Sequence, residues 1–382
     1  MLFYSDERLQ EEVASEAERG ARLMVRREDM AREQLHVVVQ HGRLFQQHHP
    51  DIHVVHDRGR FLLVKLDPEQ SRELATKNET CYGLMSLKEN AVVFDVRETV
   101  RARAPIAFVR NLVDEVKRVT FETSLTKLVS FSTRHSTSSD FSAVATWART
   151  KLEEMGYKVR SQTVPVNGIN SHNIIADRHG TGTDVRQVVI VAAHLDSINL
   201  QGGPAAPAPG ADDNGSGSAG LLEIARVFRD HHGVNDLRLI LFGGEEQGLF
   251  GSKQYVASLP SSERARIRAV VNMDMIGSLN SSSRSVLLEG APLSQGIIDG
   301  LSQAAADYTK LIVETSLHPF NSDHVPFIDA GVPAVLTIEG ADNTNSNIHS
   351  SADTIDTIDY EQALEILRAN VAYVASEVGQ VV

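Results

Sequence analysis

One cysteine, Cys81, stands alone in a chain of 382 residues. A lone thiol excludes an internal disulfide and any zinc site built from thiolates, so a bound metal must rely on histidine and carboxylate. Long apolar runs are missing too: no stretch approaches the roughly 20 residues that span a bilayer. The opening MLFYSDERLQEEV turns acidic at once and lacks the basic start and apolar stretch of a secretory signal, which points to the cytoplasm. Positive charge is the scarcer sign, with 37 Lys and Arg against 50 Asp and Glu and a formal net charge of −13. An acidic surface argues against nucleic acid as a partner, because phosphate binding needs clustered Lys and Arg.

What is present is ordinary for a globular protein: 42% hydrophobic and 23% charged residues. The length suggests two or three domains, or one large α/β domain with an appendage. Residues 1–110 differ from the rest in being rich in Arg, Glu and His. A helical start (6–35) is followed by a strand–helix–strand pattern at FLLVKL (61–66), PEQSRELATK (68–77) and AVVFDV (91–96), enough for a small α+β accessory domain. It is propeptide-like in its position, or else serves packing or assembly. Its His48, His49, His53 and His56 read as surface or loop histidines, since no carboxylate or cysteine sits at ligand spacing.

From about residue 111 the pattern becomes regular. Helices are expected at 139–155, 220–230, 294–307 and 360–377. Between them lie short apolar runs: VVIVAA (188–193), LRLILFGG (237–244), AVVNMDM (269–275) and AVLTI (334–338). Uninterrupted apolar strands separated by helices indicate a three-layer α/β/α fold with a mainly parallel central sheet covered on both faces. The Pro-, Gly- and Ala-rich stretch QGGPAAPAPG (201–210) reads as a loop over the site.

In open α/β sheets ligands collect beyond the carboxyl ends of the strands. The apolar runs here share one pattern at that end. His194 and Asp196 come after the first, Glu245 and Glu246 after the second, Asp274 closes the third, and a loop leads from the fourth to His349. GADDNGSG (210–217) places Asp212 and Asp213 before a helix. Each piece alone has a plain structural explanation. Together they would repel one another and lose solvation unless a cation compensates them. Carboxylates with neutral imidazoles suit Zn, Mn or Co. Two His and three carboxylates exceed one tetrahedral zinc and fit two ions if one carboxylate bridges.

His194-Leu-Asp196-Ser, Gly210-Ala-Asp-Asp213, Glu245-Glu246, Asn272-Met-Asp274-Met and Ile348-His349 together resemble the motifs of the M28 family of zinc aminopeptidases, in the same order. The resemblance covers roughly residues 110–380. It implies a metalloprotease of the exopeptidase kind, with two zinc ions and a peptide with a free N-terminus as substrate. Under it Asp213 bridges the ions, His194 and Asp274 complete one site, and Glu246 and His349 complete the other. Asp196 would accept the second ring N–H of His194. Glu245 would take a proton from the water bridging the metals and deliver it to the leaving amine.

Other residues near these motifs carry open readings. Ser322-Asp323-His324 resembles a family motif and reads as support for the ligands rather than as substrate contact. Met275 and Ile338 are candidates for an apolar specificity pocket or for the core. Secreted members carry a tyrosine or a disulfide where this chain has His318-Pro-Phe-Asn321, so His318 is a candidate for the missing oxyanion help. Two alternatives share the fold: a glutaminyl cyclase with a single zinc, and a carboxypeptidase. The latter needs a cation to hold a carboxylate, and Arg284 is the one that follows a site strand.

Overall fold

The computed structural model describes residues 32–76, 82–87, 95–96 and 100–381. The chain divides into two compact units, Met1–Asp95 and Val96–Val382. Most of the helix expected at 6–35 lies outside the described residues, as do Cys81 and residues 91–94. At its end, Arg32–Gln34 form a single tight turn and Leu35 already opens a strand.

In the first unit, β1 (Leu35–Gln40), β2 (His53–Arg58), β3 (Phe61–Lys65) and β4 (Tyr82–Ser86) form an antiparallel sheet in the order β2-β3-β1-β4. A helix Pro68–Thr76 follows β3, and Val38, Phe45, Leu62, Val64 and Leu66 fill the core. The histidines are dispersed over this frame. The ring of His49 meets the Tyr82 hydroxyl at 2.8 Å, while His53 and His56 lie on β2. Among the described residues, no metal-ligand cluster forms in this unit.

Among the described residues a second sheet has nine strands: β5 (Asp95–Val96), at the division between the units, and, within the second unit, β6 (Lys158–Val166), β7 (Ile169–Arg178), β8 (Val188–His194), β9 (Asp236–Phe242), β10 (Ile267–Met273), β11 (Ser285–Glu289), β12 (Ile312–Ser316) and β13 (Ala334–Glu339). Their order is β5-β12-β11-β13-β10-β8-β9-β7-β6. The central run β13-β10-β8-β9 is parallel. On either side the sheet turns antiparallel, at β11 against β13 and at β7 against β9. The hairpin β6–β7 turns at Asn167-Gly168, both left-handed (φ 49° and 84°), as a two-residue Asn-Gly turn requires.

Strand β8 shows why the fold has three layers. Successive side chains point to opposite faces of a strand. Val189, Val191 and Ala193 pack with Leu125, Phe141, Leu222 and Leu367 from the helices Arg118–Val129, Ser139–Glu154, Gly217–Val227 and Tyr360–Val378. Val188, Ile190 and Ala192 pack with Tyr255, Val256 and Phe327 from the helices Phe250–Ser258 and His324–Asp329. Burying each Val, Ile, Leu or Phe side chain is worth roughly 1.5–3 kcal/mol, so a strand apolar on both faces settles only between two helical layers. Side-chain caps start two of the helices, Ser138 accepting from the Phe141 amide and Asp359 from the Gln362 amide. Among the described residues no helix is long and apolar enough to cross a membrane.

Candidate metal centre

The parallel strands all end on one edge, and the charged residues collect there. His194 is the last residue of β8, and Asp274 follows β10 directly. Glu245 and Glu246 follow β9 after Gly243 and Gly244, the latter left-handed (φ 80°), which turns the chain sharply off the strand. His349 sits in the loop after β13, and Asp213 in the turn Ala211–Ser216 that leads into Gly217–Val227.

Two groups of ligand atoms form. In the first, the Nε2 atom of His194 lies 3.2 Å from Asp274 Oδ1 and 3.3 Å from Asp213 Oδ1. In the second, His349 Nε2 lies 3.0 Å from Asp213 Oδ2 and 3.1 Å from Glu246 Oε2. Asp213 therefore offers one oxygen to each group. All five residues are buried. Ligand atoms about 2.0–2.1 Å from a tetrahedral zinc stand about 3.3 Å from one another. The observed spacings match that edge, and Glu246 Oε1 is buried with no hydrogen-bond partner. The two groups are consistent with two zinc ions, and Asp213 would offer an oxygen to each.

The charges conflict without a cation. Burial alone would lower the His194 pKa, but the Asp274 and Glu245 carboxylates hold it well above the ordinary value. Asp213 is buried, yet His194 and His349 hold its carboxyl below the usual range. Burial pushes Glu246 up to about 7. Glu245 is driven well above the usual carboxylate range, first by burial and then, against the pull of His194, by the charges of Asp274, Glu246 and Asp323. A nearly dry, acidic cleft of this kind favours divalent ions strongly.

Several side chains hold the ligands in place. Ser322 donates to Asp274 Oδ2 at 2.6 Å and accepts from the Asn272 amide at 2.8 Å. Asp196 stands behind His194, and it also holds a second junction. Its backbone carbonyl, at 3.2 Å, is nearer His194 Nδ1 than its carboxylate, at 3.7 Å. The carboxylate accepts from the backbone amides of Glu245 (3.3 Å) and Glu246 (3.2 Å), tying β8's exit to β9's. Asp353, which sequence reasoning passed over, accepts from the amides of Asp212 (2.9 Å) and Asp213 (3.0 Å). Burial and the neighbouring Asp212 raise its carboxyl to about 8. Asn214, joined to Asp213 by a cis peptide, bonds the Met273 carbonyl and the Gly217 and Met275 amides.

Arg134 is the other residue that sequence reasoning passed over. It is fully buried, and its guanidinium donates to the carbonyls of Leu195, Pro209 and Gly210. Burial lowers its pKa to about 10, so it stays cationic at neutral pH. Of the open readings, Met275 and Ile338 are both about 2% exposed and stand in the core at the site's edge. His324 is buried 3.6 Å from Glu289, and the His318 amide donates to Ser316 Oγ. Arg284 reaches Asp359 at 3.3 Å. The loop 201–210 is tied at both ends, the Leu200 amide donating to the His349 carbonyl and the Ala208 amide to the Ser132 carbonyl.

The chain is also similar to known proteins. The model of peptidase family M28 matches residues 173–374. A probable leucine aminopeptidase of Trichophyton verrucosum is 30% identical over 279 residues, 68% of this chain and 73% of the relative. Leupeptin-inactivating enzyme 1 of Streptomyces exfoliatus is 33% identical over 208 residues; the match takes in 54% of this chain and spans 44% of that longer protein. Among solved structures, a zinc aminopeptidase from Bacillus subtilis superposes with a TM-score of 0.61 at 18% identity, covering 69% of this chain and 95% of the other, a likeness of fold. The family match covers more than half of the chain, and the T. verrucosum relative is similar over two thirds of it: the chain belongs to peptidase family M28.

Proposed function

We propose that this protein is a zinc-dependent aminopeptidase that hydrolyses the N-terminal residue from peptides at the centre shared by Asp213. The observation that carries the proposal is the two-sided use of Asp213, one carboxylate oxygen toward His194 and the other toward His349. The family and the names of its relatives, a leucine aminopeptidase and a zinc aminopeptidase, support the same reading. All proposed site residues lie in Val96–Val382, and we assign catalysis to that unit.

His194 and Asp274 would hold one ion, Glu246 and His349 the other, and Asp213 both. Two zinc ions held there would polarise the scissile carbonyl and lower the pKa of the attacking water. Glu245 holds no place in either ligand group, which leaves its carboxylate available to take a proton from the attacking water. It then returns the proton to the departing amine. Its backbone amide is pinned by Asp196, which fixes its aim. The acidic surroundings favour the free α-ammonium of a peptide over a C-terminal carboxylate. Arg284, the cation considered for a carboxylate, is engaged by Asp359.

A panel of aminoacyl p-nitroanilides, leucine among them, tests the proposal. Release should require zinc, stop with a chelator, and be nearly abolished by Glu245→Gln. Absence of chelator-sensitive release from every free-amine substrate would refute it.

A further inference from the structure

We propose that Arg134 is a positioning residue of the metal centre: its guanidinium clamps the chain leaving β8 to the chain entering the Asp213 turn, and so sets where Asp213 stands relative to His194. The inference rests on reading the site as a metal centre.

Two stretches of chain, at Leu195 and at Pro209-Gly210, meet at this side chain. Leu195, whose carbonyl accepts from Arg134 Nε at 2.9 Å, directly follows His194. Gly210, whose carbonyl accepts from Nη2 at 2.8 Å, lies three residues before Asp213. The Pro209 carbonyl takes a bond from Nη1. Ser197 locks the same junction. It accepts from the Arg134 amide (3.1 Å), donates its own amide to the Arg134 carbonyl (3.3 Å), and donates its hydroxyl to the Ala208 carbonyl (2.8 Å). The Gly210 carbonyl also accepts from the Gly215 amide at 2.9 Å, which closes the turn around Asp213. The approach is so close that a Cβ on Gly210 would stand 2.6 Å from Ser197 Cβ and 3.0 Å from the guanidinium.

The three carbonyls are met by three separate nitrogens of a planar fork; a lysine ammonium carries its three donors on one nitrogen and does not span that spread. The choice of a permanent cation is also informative. Taking a charge out of water is costly, and neutral donors could knit carbonyls together. Asp353, Asp196, Asp213 and Glu246 are near enough for their charges to act on Arg134, although its hydrogen-bond partners are carbonyls. The guanidinium thus balances part of the acidic shell while fixing its geometry.

The test uses the full chain, with Arg134→Lys, Arg134→Met and Ser197→Ala. Zinc affinity is read on metal-free protein by competition with a chromogenic chelator, and ligand geometry by the visible absorption of the cobalt(II)-loaded protein. We expect Arg134→Lys to weaken zinc binding about 10–100-fold, the range for lost partners that orient ligands. It should also alter the cobalt spectrum and lower kcat more than KM. Arg134→Met should be weaker still, and Ser197→Ala should shift in the same direction by less. A folded Arg134→Lys protein with wild-type zinc affinity and cobalt spectrum overturns the proposal. Should both Arg134 variants fail to fold, a folded Ser197→Ala with unchanged affinity and spectrum overturns it instead. Wild-type protein that binds zinc without cleaving peptides sinks the aminopeptidase reading alone, because the affinity and cobalt readouts still judge the clamp.

Discussion

Replacing Ser322 by alanine should weaken one metal site and spare the other. Ser322 is 1% exposed, and its hydroxyl donates to Asp274 Oδ2 at 2.6 Å and accepts from the Asn272 side-chain amide at 2.8 Å. Asp274 stands with His194 in the first ligand group and has no atom in the second. A hydrogen bond to a charged acceptor contributes about 1.5–3 kcal/mol, and the Asn272 donor left unpaired costs about 1–3 kcal/mol more. Part of that loss falls on folding. The part that falls on Asp274's aim, about 1.4–2.8 kcal/mol, corresponds to a 10–100-fold rise in one zinc dissociation constant. Titration of metal-free protein against a chromogenic chelator should resolve two constants, with only one changed by Ser322→Ala. Ser322→Thr, which retains a hydroxyl, should restore it in large part. Two unchanged constants, or two constants raised equally, would refute the assignment of Asp274 to one ion and of Ser322 to its support.

Other consequences are equally specific. Gly210→Ala should lower stability by several kcal/mol, from about 1–2 kcal/mol for a left-handed alanine plus a clash with Ser197, and it should weaken zinc binding as well; a melting temperature within a degree of wild type would contradict this. Asp236 provides a pH test away from the metals. Burial alone would raise its pKa, but Arg186 at 2.8 Å, the Gly180 amide and Arg266 at 2.7 Å hold it below 3.8. A depressed folded pKa adds stability above the unfolded value, and that stability is lost as pH falls through the folded one. Denaturation of wild type and Asp236→Asn across pH 2–7 should show a gap that is full above about pH 5 and closes toward pH 2. A gap independent of pH would show that these ion pairs add no stability.

The candidate ligands that the structure brings together were legible because most of them follow a local signal. A short apolar strand ends, and a charged residue appears where the fold collects ligands, as at His194 after Val188–Ala193. The three-layer fold was legible for the same reason, since strands apolar on both faces demand two helical layers. The supports were hidden because their partners are remote in sequence. Asp353 is 140 residues from the Asp213 amide it holds, and Arg134 is 76 from the Gly210 carbonyl. Nothing local to an arginine in SFSTRHS announces three carbonyl partners. The resemblance places Asp196 behind His194, where its carboxylate stands 3.7 Å from Nδ1; its bonds to the Glu245 and Glu246 amides are a contact across two strand ends that only the folded chain displays. The β6–β7 hairpin is a different omission. Asn167-Gly168 between alternating residues was a local signal, and it went unused.

A hydrolytic centre of two ions joined by Asp213 makes a stoichiometric demand. Zinc can be returned stepwise to metal-free protein, with aminoacyl p-nitroanilide cleavage measured at each addition. Activity should reach its plateau at about two equivalents per chain, as a pair of ions sharing one carboxylate requires. A plateau at one equivalent, or zinc uptake with no cleavage at any ratio, would contradict the two-ion centre.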